Sequence, residues 1–192
     1  SVAAYMENSK PTMQSATLMP MVEDVMAKSG TSYSQLTAVA ATIGPGSFTG
    51  IRVALAAARA ICLAAGIPAM GYTSLQVLAF GARSNVHAVT LAVLNAGKGE
   101  HYCQYFRNNP WQEMQEATVG LLTDAIVQLQ ATSAIYAGNA VIDDPRFHSA
   151  SIAFPRADVL AELAATFPQL AQRQLHPLYI RAPDAKLPSS RP

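Results

Sequence analysis

Residues 44–53 read GPGSFTGIRV and decide the fold of this chain. An apolar run over residues 36–43 precedes them, and an alanine-rich run follows them. The order strand, glycine-rich loop, helix is typical of loops that bind phosphate at a helix N-terminus. Here, however, no Lys-Ser/Thr pair follows the last glycine, and the spacing is one residue too long for a dinucleotide-binding fingerprint. We therefore interpret the loop as a structural strand-to-helix turn, which comprises Gly44, Pro45, Gly46, Ser47, Phe48, Thr49, Gly50 and Arg52.

The distribution of charge argues against catalysis in this half of the chain. From Val25 through Gly99 there is no Asp or Glu, whereas five basic residues occur: Lys28, Arg52, Arg59, Arg83 and Lys98. Phosphoryl transfer needs carboxylates to hold magnesium and to orient the nucleophile. The region therefore has the outline of a nucleotide-handling scaffold without the residues for the chemistry.

Composition indicates a surface that is partly covered by another molecule. Charged residues make up 13% of the 192 residues, against about 25% in average globular proteins. Hydrophobic residues make up 51%, and the net charge is +1. The two cysteines, Cys62 and Cys103, are expected to be buried free thiols in a reducing cytoplasm. The four histidines are scattered without metal-ligand spacing, so no metal site is expected.

The coarse pattern is that of an α/β chain. Strands are predicted at residues 2–6, 36–43, 69–72, 87–94, 100–107 and 134–137, with a hairpin between the fourth and fifth. Helices are predicted at residues 18–29, 49–65, 74–80 (capped by Ser74), 121–130 and 156–167, and an extended tail at 177–186. We expect two lobes that divide near Arg83, covering residues 1–84 and 85–192.

The predicted helix at 49–65 is apolar nearly all round and rich in alanine. Such a helix needs cover on more than one side, which leaves two interpretations open. Either it is the central buried helix of the chain, or it forms a partner surface with the helix near residues 18–27. The candidate interface residues are Leu18, Met21, Val22, Val25, Val53, Ala54, Ala56, Ala57 and Ala60. No segment is expected to be long enough to span a membrane, because Arg52 and Arg59 interrupt the longest apolar run, residues 51–66.

Five segments, in order along nearly the whole chain, resemble the bacterial TsaB (YeaZ) family: LMPMV at 18–22, GPGSFTGIR at 44–52, GYTSL at 71–75, GEHY at 99–102 and PLYIR at 177–181. The GPGSFTG string followed by Ile-Arg is highly specific. The resemblance implies a two-lobed actin/Hsp70/sugar-kinase-like (ASKHA) fold. The family opens with a further strand, which we expect this sequence to lack.

The resemblance also implies a function. Members are non-catalytic relatives of the subunit TsaD and lack its metal-binding histidines and ATP site. They pair with TsaD through two helices of the first lobe and work with an ATPase subunit, TsaE. Together these proteins transfer a threonylcarbamoyl group to adenosine 37 of tRNAs that read ANN codons. For this chain the resemblance implies no bound cofactor, ATP and metal on partner subunits, indirect contact with tRNA, and a cytoplasmic location.

The chain departs from the family pattern at Gln14, Asn95 and Gly97, where many members carry His, Asp and Arg. These departures remove ionisable groups, which agrees with a subunit that does no chemistry. Two alternatives stay open: a self-associating homodimeric regulator of the same fold, and a peptidase- or kinase-like enzyme. The homodimer remains open because one apolar surface serves self-pairing and hetero-pairing equally well.

Overall fold

The computed structural model describes residues 2–8 and 14–181. Within these residues lie five α-helices: α1 (Gln14–Ser29), α2 (Phe48–Ala65), α3 (Ser74–Gly81), α4 (Leu122–Val127) and α5 (Ala157–Thr166). The strands are β1 (Val39–Gly44), β2 (Ala69–Thr73), β3 (Val89–Gly97), β4 (Glu100–Asn108), β5 (Trp111–Glu113), β6 (Thr118–Gly120), β7 (Ala134–Gly138) and β8 (Phe147–Ser149). Two 3₁₀ turns, Tyr33–Gln35 and Pro168–Leu170, complete the described elements.

The strands form two sheets. In the smaller sheet β1 and β2 pair in parallel. In the larger sheet the order is β5-β4-β3-β7-β8, and β6 also pairs with β4. Strands β3 and β4 form the predicted antiparallel hairpin, whereas β3, β7 and β8 run parallel to one another. Strands β5, β6 and β8 are three residues long, too short for the alternation of polar and apolar residues to reveal them in the sequence.

Helix α3 is the buried centre of the chain. All of its residues from Ser74 to Phe80 are buried, and it contacts strands of both sheets as well as α5. The surrounding core includes residues from both sides of residue 84, such as Tyr72 and Leu163; the predicted lobe boundary there stays a prediction. The N-cap of α3 is Thr73, whose hydroxyl accepts from the Gln76 N–H at 2.9 Å. The predicted cap at Ser74 was therefore wrong by one residue.

Two further sequence predictions were wrong. Residues 2–6 do not form a strand, and among the described residues no strand pairs with them. The Tyr5 ring instead packs against Arg156, whose guanidinium carbon lies 5.0 Å from the ring centre. The fourth helix ends at Val127 rather than near residue 130. Just beyond its end, the Arg146 guanidinium donates to the carbonyls of Ile126 and Leu129. Residues 182–186 of the predicted tail lie outside the described residues.

Helix α2 is longer than the apolar run in the sequence. It spans 18 residues, and by length and composition alone it could cross a membrane, so the expectation that no segment is long enough was wrong. In this fold one side of α2 lies on β1, and four of its 18 residues are buried. The other residues of this apolar helix are half-buried or exposed.

Candidate partner surface and glycine loop

Gly44 is the glycine on which the loop depends. It ends β1 with φ +115°, a conformation that side chains disfavour. A Cβ there would lie 2.9 Å from the Leu178 carbonyl oxygen and 3.0 Å from Ile51 Cδ1. The Leu178 N–H in turn donates to the Ile43 carbonyl at 2.8 Å. The chain's own residue 178 thus closes against the start of the loop.

From the loop sequence we expect Gly46 and Gly50 to permit backbone geometry or close packing that a Cβ would disturb. At Gly46 this expectation was wrong. Its φ is not in the left-handed region, and a Cβ there would meet Ile51 Cδ1 at an ordinary 3.7 Å. Gly50 lies in the first turn of α2, and its N–H donates to Ser47 Oγ at 3.3 Å. Ser47 is therefore the N-cap of α2, whereas Thr49 lies within the helix. The loop is a capped strand-to-helix turn, as the sequence interpretation held.

Helix α2 has one covered side and one open side. The covered residues recur at helical spacing: they are Ile51, Leu55, Ala58 and Cys62. The first three pack on β1 and Leu175. On the open side Ala56, Ala60 and Ala64 are exposed, and Leu63 is 87% exposed. This arrangement rules out the interpretation of α2 as the central buried helix, a position that α3 occupies.

Helix α1 packs beside α2. Of the candidate interface residues, Leu18, Met21, Val22 and Val25 on α1 are half-buried, as are Val53, Ala54 and Ala57 on α2. An apolar groove of about 600 Å³ runs between the helices, with Met19 and Tyr33 on one side and Ala60, Ile61 and Ala64 on the other. The open alanines and this groove form one continuous surface, which we call the α1–α2 face.

The opposite flank of α2 is lined by residues near the end of the chain, which sequence reasoning did not connect to it. The Arg59 guanidinium donates to the Leu175 carbonyl, and Arg52 Nε donates to the Tyr179 hydroxyl at 3.1 Å. The only sequence signal for this contact was the apolar PLYIR segment at 177–181. Its partner elements are more than a hundred residues away, so local pattern could not identify them.

Neither cysteine has the environment of a nucleophile. Burial raises the pKa of the Cys103 thiol to about 12 and also raises the pKa of Cys62, so both stay protonated at neutral pH. Within the described ranges, no group of three or more His, Cys, Asp and Glu side chains could hold a metal ion. Asn95 and Gly97, two of the departures from the family pattern, make a local turn in which Asn95 Oδ1 accepts from the Gly97 N–H at 2.6 Å.

Comparison with known proteins finds several that are similar to this chain. A family model described as TsaD, tRNA N6-adenosine threonylcarbamoyltransferase, matches residues 13–182. The "tRNA threonylcarbamoyladenosine biosynthesis protein TsaB" of Escherichia coli is 36% identical over 119 residues, which cover 61% of this chain and 52% of that protein. The chain belongs to the TsaD family and, within it, to the TsaB (YeaZ) group.

Two further comparisons extend over more of the chain. The TsaB protein of Haemophilus influenzae is 27% identical over 184 residues, covering 85% of this chain and 78% of that protein. The solved structure titled "YeaZ from Pseudomonas aeruginosa" superposes with a TM-score of 0.75 at 23% identity, covering 88% of this chain and 85% of that one. The expected ASKHA-like α/β fold is confirmed. The match to the E. coli relative spans about half of that protein's length.

The first prediction compares two loop glycines. Gly44→Ala should lower the free energy of unfolding by about 1–3 kcal/mol, because it forces a side chain into a positive φ and against the Leu178 carbonyl. Gly46→Ala should cost less than about 1 kcal/mol, since its Cβ meets ordinary contacts. Urea denaturation of both variants checks this. Equal costs at the two positions would contradict the assignment of Gly44 as the constrained glycine.

The second prediction concerns the helix cap. Ser47→Ala removes the acceptor for the Gly50 N–H and should cost about 1 kcal/mol of stability. Thr49→Ala, two residues further along and inside the helix, is the matched control and should change stability by less than about 0.5 kcal/mol. Thermal denaturation of the pair measures the difference. A larger loss at Thr49 than at Ser47 would show that the cap is misassigned.

Proposed function

We propose that this chain is a non-catalytic subunit that supports threonylcarbamoyl transfer to adenosine 37 of ANN-decoding tRNAs. In this proposal it acts in the cytoplasm as the partner of a TsaD-like catalytic subunit. Its relatives are named as threonylcarbamoyladenosine biosynthesis proteins, which supports the pathway. The observation that carries the role of a docking subunit is the open, small-residue side of α2.

The α1–α2 face fits a pair of helices better than a flat surface. Helices of 16 and 18 residues are about 24 and 27 Å long, and exposed alanines allow the backbone of another helix to approach closely. The TsaD family model matches the residues that include both α1 and α2. A TsaD-like subunit would therefore present a helix pair of similar shape, and the two pairs would form a four-helix interface.

Three features support the absence of catalysis in this chain. No carboxylate occurs between residues 25 and 99, the glycine loop is packed by its own chain at Leu178, and Ser47 uses its hydroxyl as a helix cap. We therefore assign ATP and metal to partner subunits, which are the TsaD-like subunit and a TsaE-like ATPase.

The third prediction is that the purified chain alone neither hydrolyses ATP nor modifies tRNA. A sensitive phosphate-release assay and a mass-spectrometric nucleoside analysis, both with unmodified ANN-decoding tRNA, measure the two activities. The proposal would be overturned by ATP turnover that a single substitution in this chain abolishes, because a contaminating enzyme would not respond to that substitution.

The fourth prediction tests the docking face. Ala60→Glu places a charge on the exposed wall of the groove, where docking would bury it without a partner. We expect affinity for the TsaD-like subunit to fall about 100-fold or more, and Ala56→Glu to act in the same direction. Isothermal titration calorimetry measures the affinity, and multi-angle light scattering of the chain alone measures any self-association through the same face.

The matched control is Ala165→Glu, which adds the same charge at an exposed position of α5. It should leave docking unchanged, and all three variants should keep the melting temperature of the parent chain within a few degrees. If Ala60→Glu and Ala56→Glu bind as well as the control, the interface lies elsewhere. If the chain is a stable dimer that the TsaD-like subunit does not dissociate, the homodimeric regulator is the correct alternative.

A further inference from the structure

Two exposed aromatic rings and a guanidinium lie together beside the N-terminus of α2. The Arg52 guanidinium carbon is 3.6 Å from the centre of the Phe48 ring, and the Phe48 and Tyr179 ring centres are 6.0 Å apart. Phe48 is 57% exposed and Tyr179 50%. Residues 127 positions apart in sequence thus form one surface feature, the Phe48–Arg52–Tyr179 stack.

Contacts within the stack fix the position of the Arg52 guanidinium and do not use its two terminal nitrogens. Arg52 is fixed through its Nε, which donates to the Tyr179 hydroxyl at 3.1 Å, and through its contact with the Phe48 ring. Its two terminal nitrogens make no hydrogen bond to the residues that the structure describes. A planar guanidinium whose terminal donors have no partner among the described residues suits a phosphate or a base edge.

The two segments that build the stack are free of carboxylates. No Asp or Glu occurs in residues 25–99 or in residues 163–183. Glu100, which lies near the tail, is engaged by the Arg181 guanidinium, which also donates to the Ala96 carbonyl. Exposed Arg59 lies on the same flank of α2 and donates to the Leu175 carbonyl. These two segments therefore contribute positive and no negative side chains, although the whole chain is nearly neutral.

We propose that the Phe48–Arg52–Tyr179 stack is a contact site for unpaired nucleotides of RNA. Exposed aromatic rings beside arginine stack on unpaired bases, while the cation binds the phosphate backbone. That this RNA is a tRNA rests on the proposed function. This site would make the contact with tRNA direct, whereas the family resemblance implies an indirect contact.

The position of the stack favours RNA over the docked subunit as its occupant. Arg52 and Arg59 lie on the flank of α2 that contacts residues 175–179. The groove towards α1 involves Ala60, Ile61 and Ala64 on the other flank. A helix pair that docks on the α1–α2 face would therefore leave the stack at the rim, where a strand of RNA could reach it.

The test is a titration of fluorescein-labelled RNA, followed by fluorescence anisotropy. The probes are the 17-nucleotide anticodon stem-loop of an ANN-decoding tRNA and a fully paired RNA duplex of the same length. Each is titrated with the chain alone and with the chain bound to the TsaD-like subunit. Phe48→Ala, Tyr179→Ala and Arg52→Gln should each weaken stem-loop binding about fivefold or more. Arg52→Gln should also reduce the salt dependence by about one phosphate contact, roughly 0.7 in log–log slope.

Matched controls remove the same groups elsewhere. Phe154→Ala deletes another exposed ring and Arg107→Gln another exposed cation, and both should bind the stem-loop within about twofold of the parent chain. The parent chain should prefer the stem-loop to the duplex, and the stack variants should lose this preference. Because these side chains are exposed, the variants should melt as the parent chain does.

Docking, measured separately by calorimetry, distinguishes this proposal from the proposed function. Stack variants that lose RNA affinity but bind the TsaD-like subunit normally support the RNA site. The RNA site is overturned if the stack variants bind RNA as the controls do, both in the chain alone and in its complex with the TsaD-like subunit. It is also overturned if the stack variants lose as much affinity for the duplex as for the stem-loop. Variants that retain RNA binding but lose docking show instead that the stack contacts protein. A parent chain that binds RNA through the stack but fails to dock overturns only the docking proposal.

Discussion

The contact between one side of α2 and β1 is the interaction on which the rest of the structure depends. Ile51, Leu55 and Ala58 recur at helical spacing and meet the parallel strand through Ala41 and Ile43. This contact fixes the sharp reversal at Gly44, which connects the strand to the helix. It also determines which alanines point outward, because a helix with one side on a sheet must present the opposite side to something else.

Residues 175–179 return to the glycine loop and close it with the protein's own backbone. Leu178 packs over Gly44 and hydrogen-bonds to Ile43, so the protein's own backbone closes against a loop whose sequence resembles a phosphate cradle. The same segment brings Tyr179 to Arg52. The contact of residues 175–179 with the loop thus gives the loop a structural role. It also creates an exposed aromatic and basic surface beside the loop.

Local pattern was sufficient for the elements that carry strong signals. Helix α2 follows from the alanine-rich run that Gly66-Ile67-Pro68 closes, and the β3–β4 hairpin follows from the Asn-Ala-Gly-Lys-Gly turn. It was insufficient for three-residue strands such as β8, and for residues 2–6, whose strand-like composition has no described strand to pair with. The glycine assignment failed at Gly46 because the constraint at Gly44 comes from Leu178, far away in sequence. The Phe48–Arg52–Tyr179 stack was beyond prediction for the same reason.

Hydroxyl-radical footprinting of the chain with and without the TsaD-like subunit tests the central claim most directly. Leu63 on α2 is 87% exposed, and Val141 is similarly exposed on a remote loop. If the open side of α2 is the docking surface, oxidation of Leu63 should fall close to background in the complex while oxidation of Val141 stays unchanged. A complex that forms and leaves Leu63 as reactive as in the free chain would contradict the account.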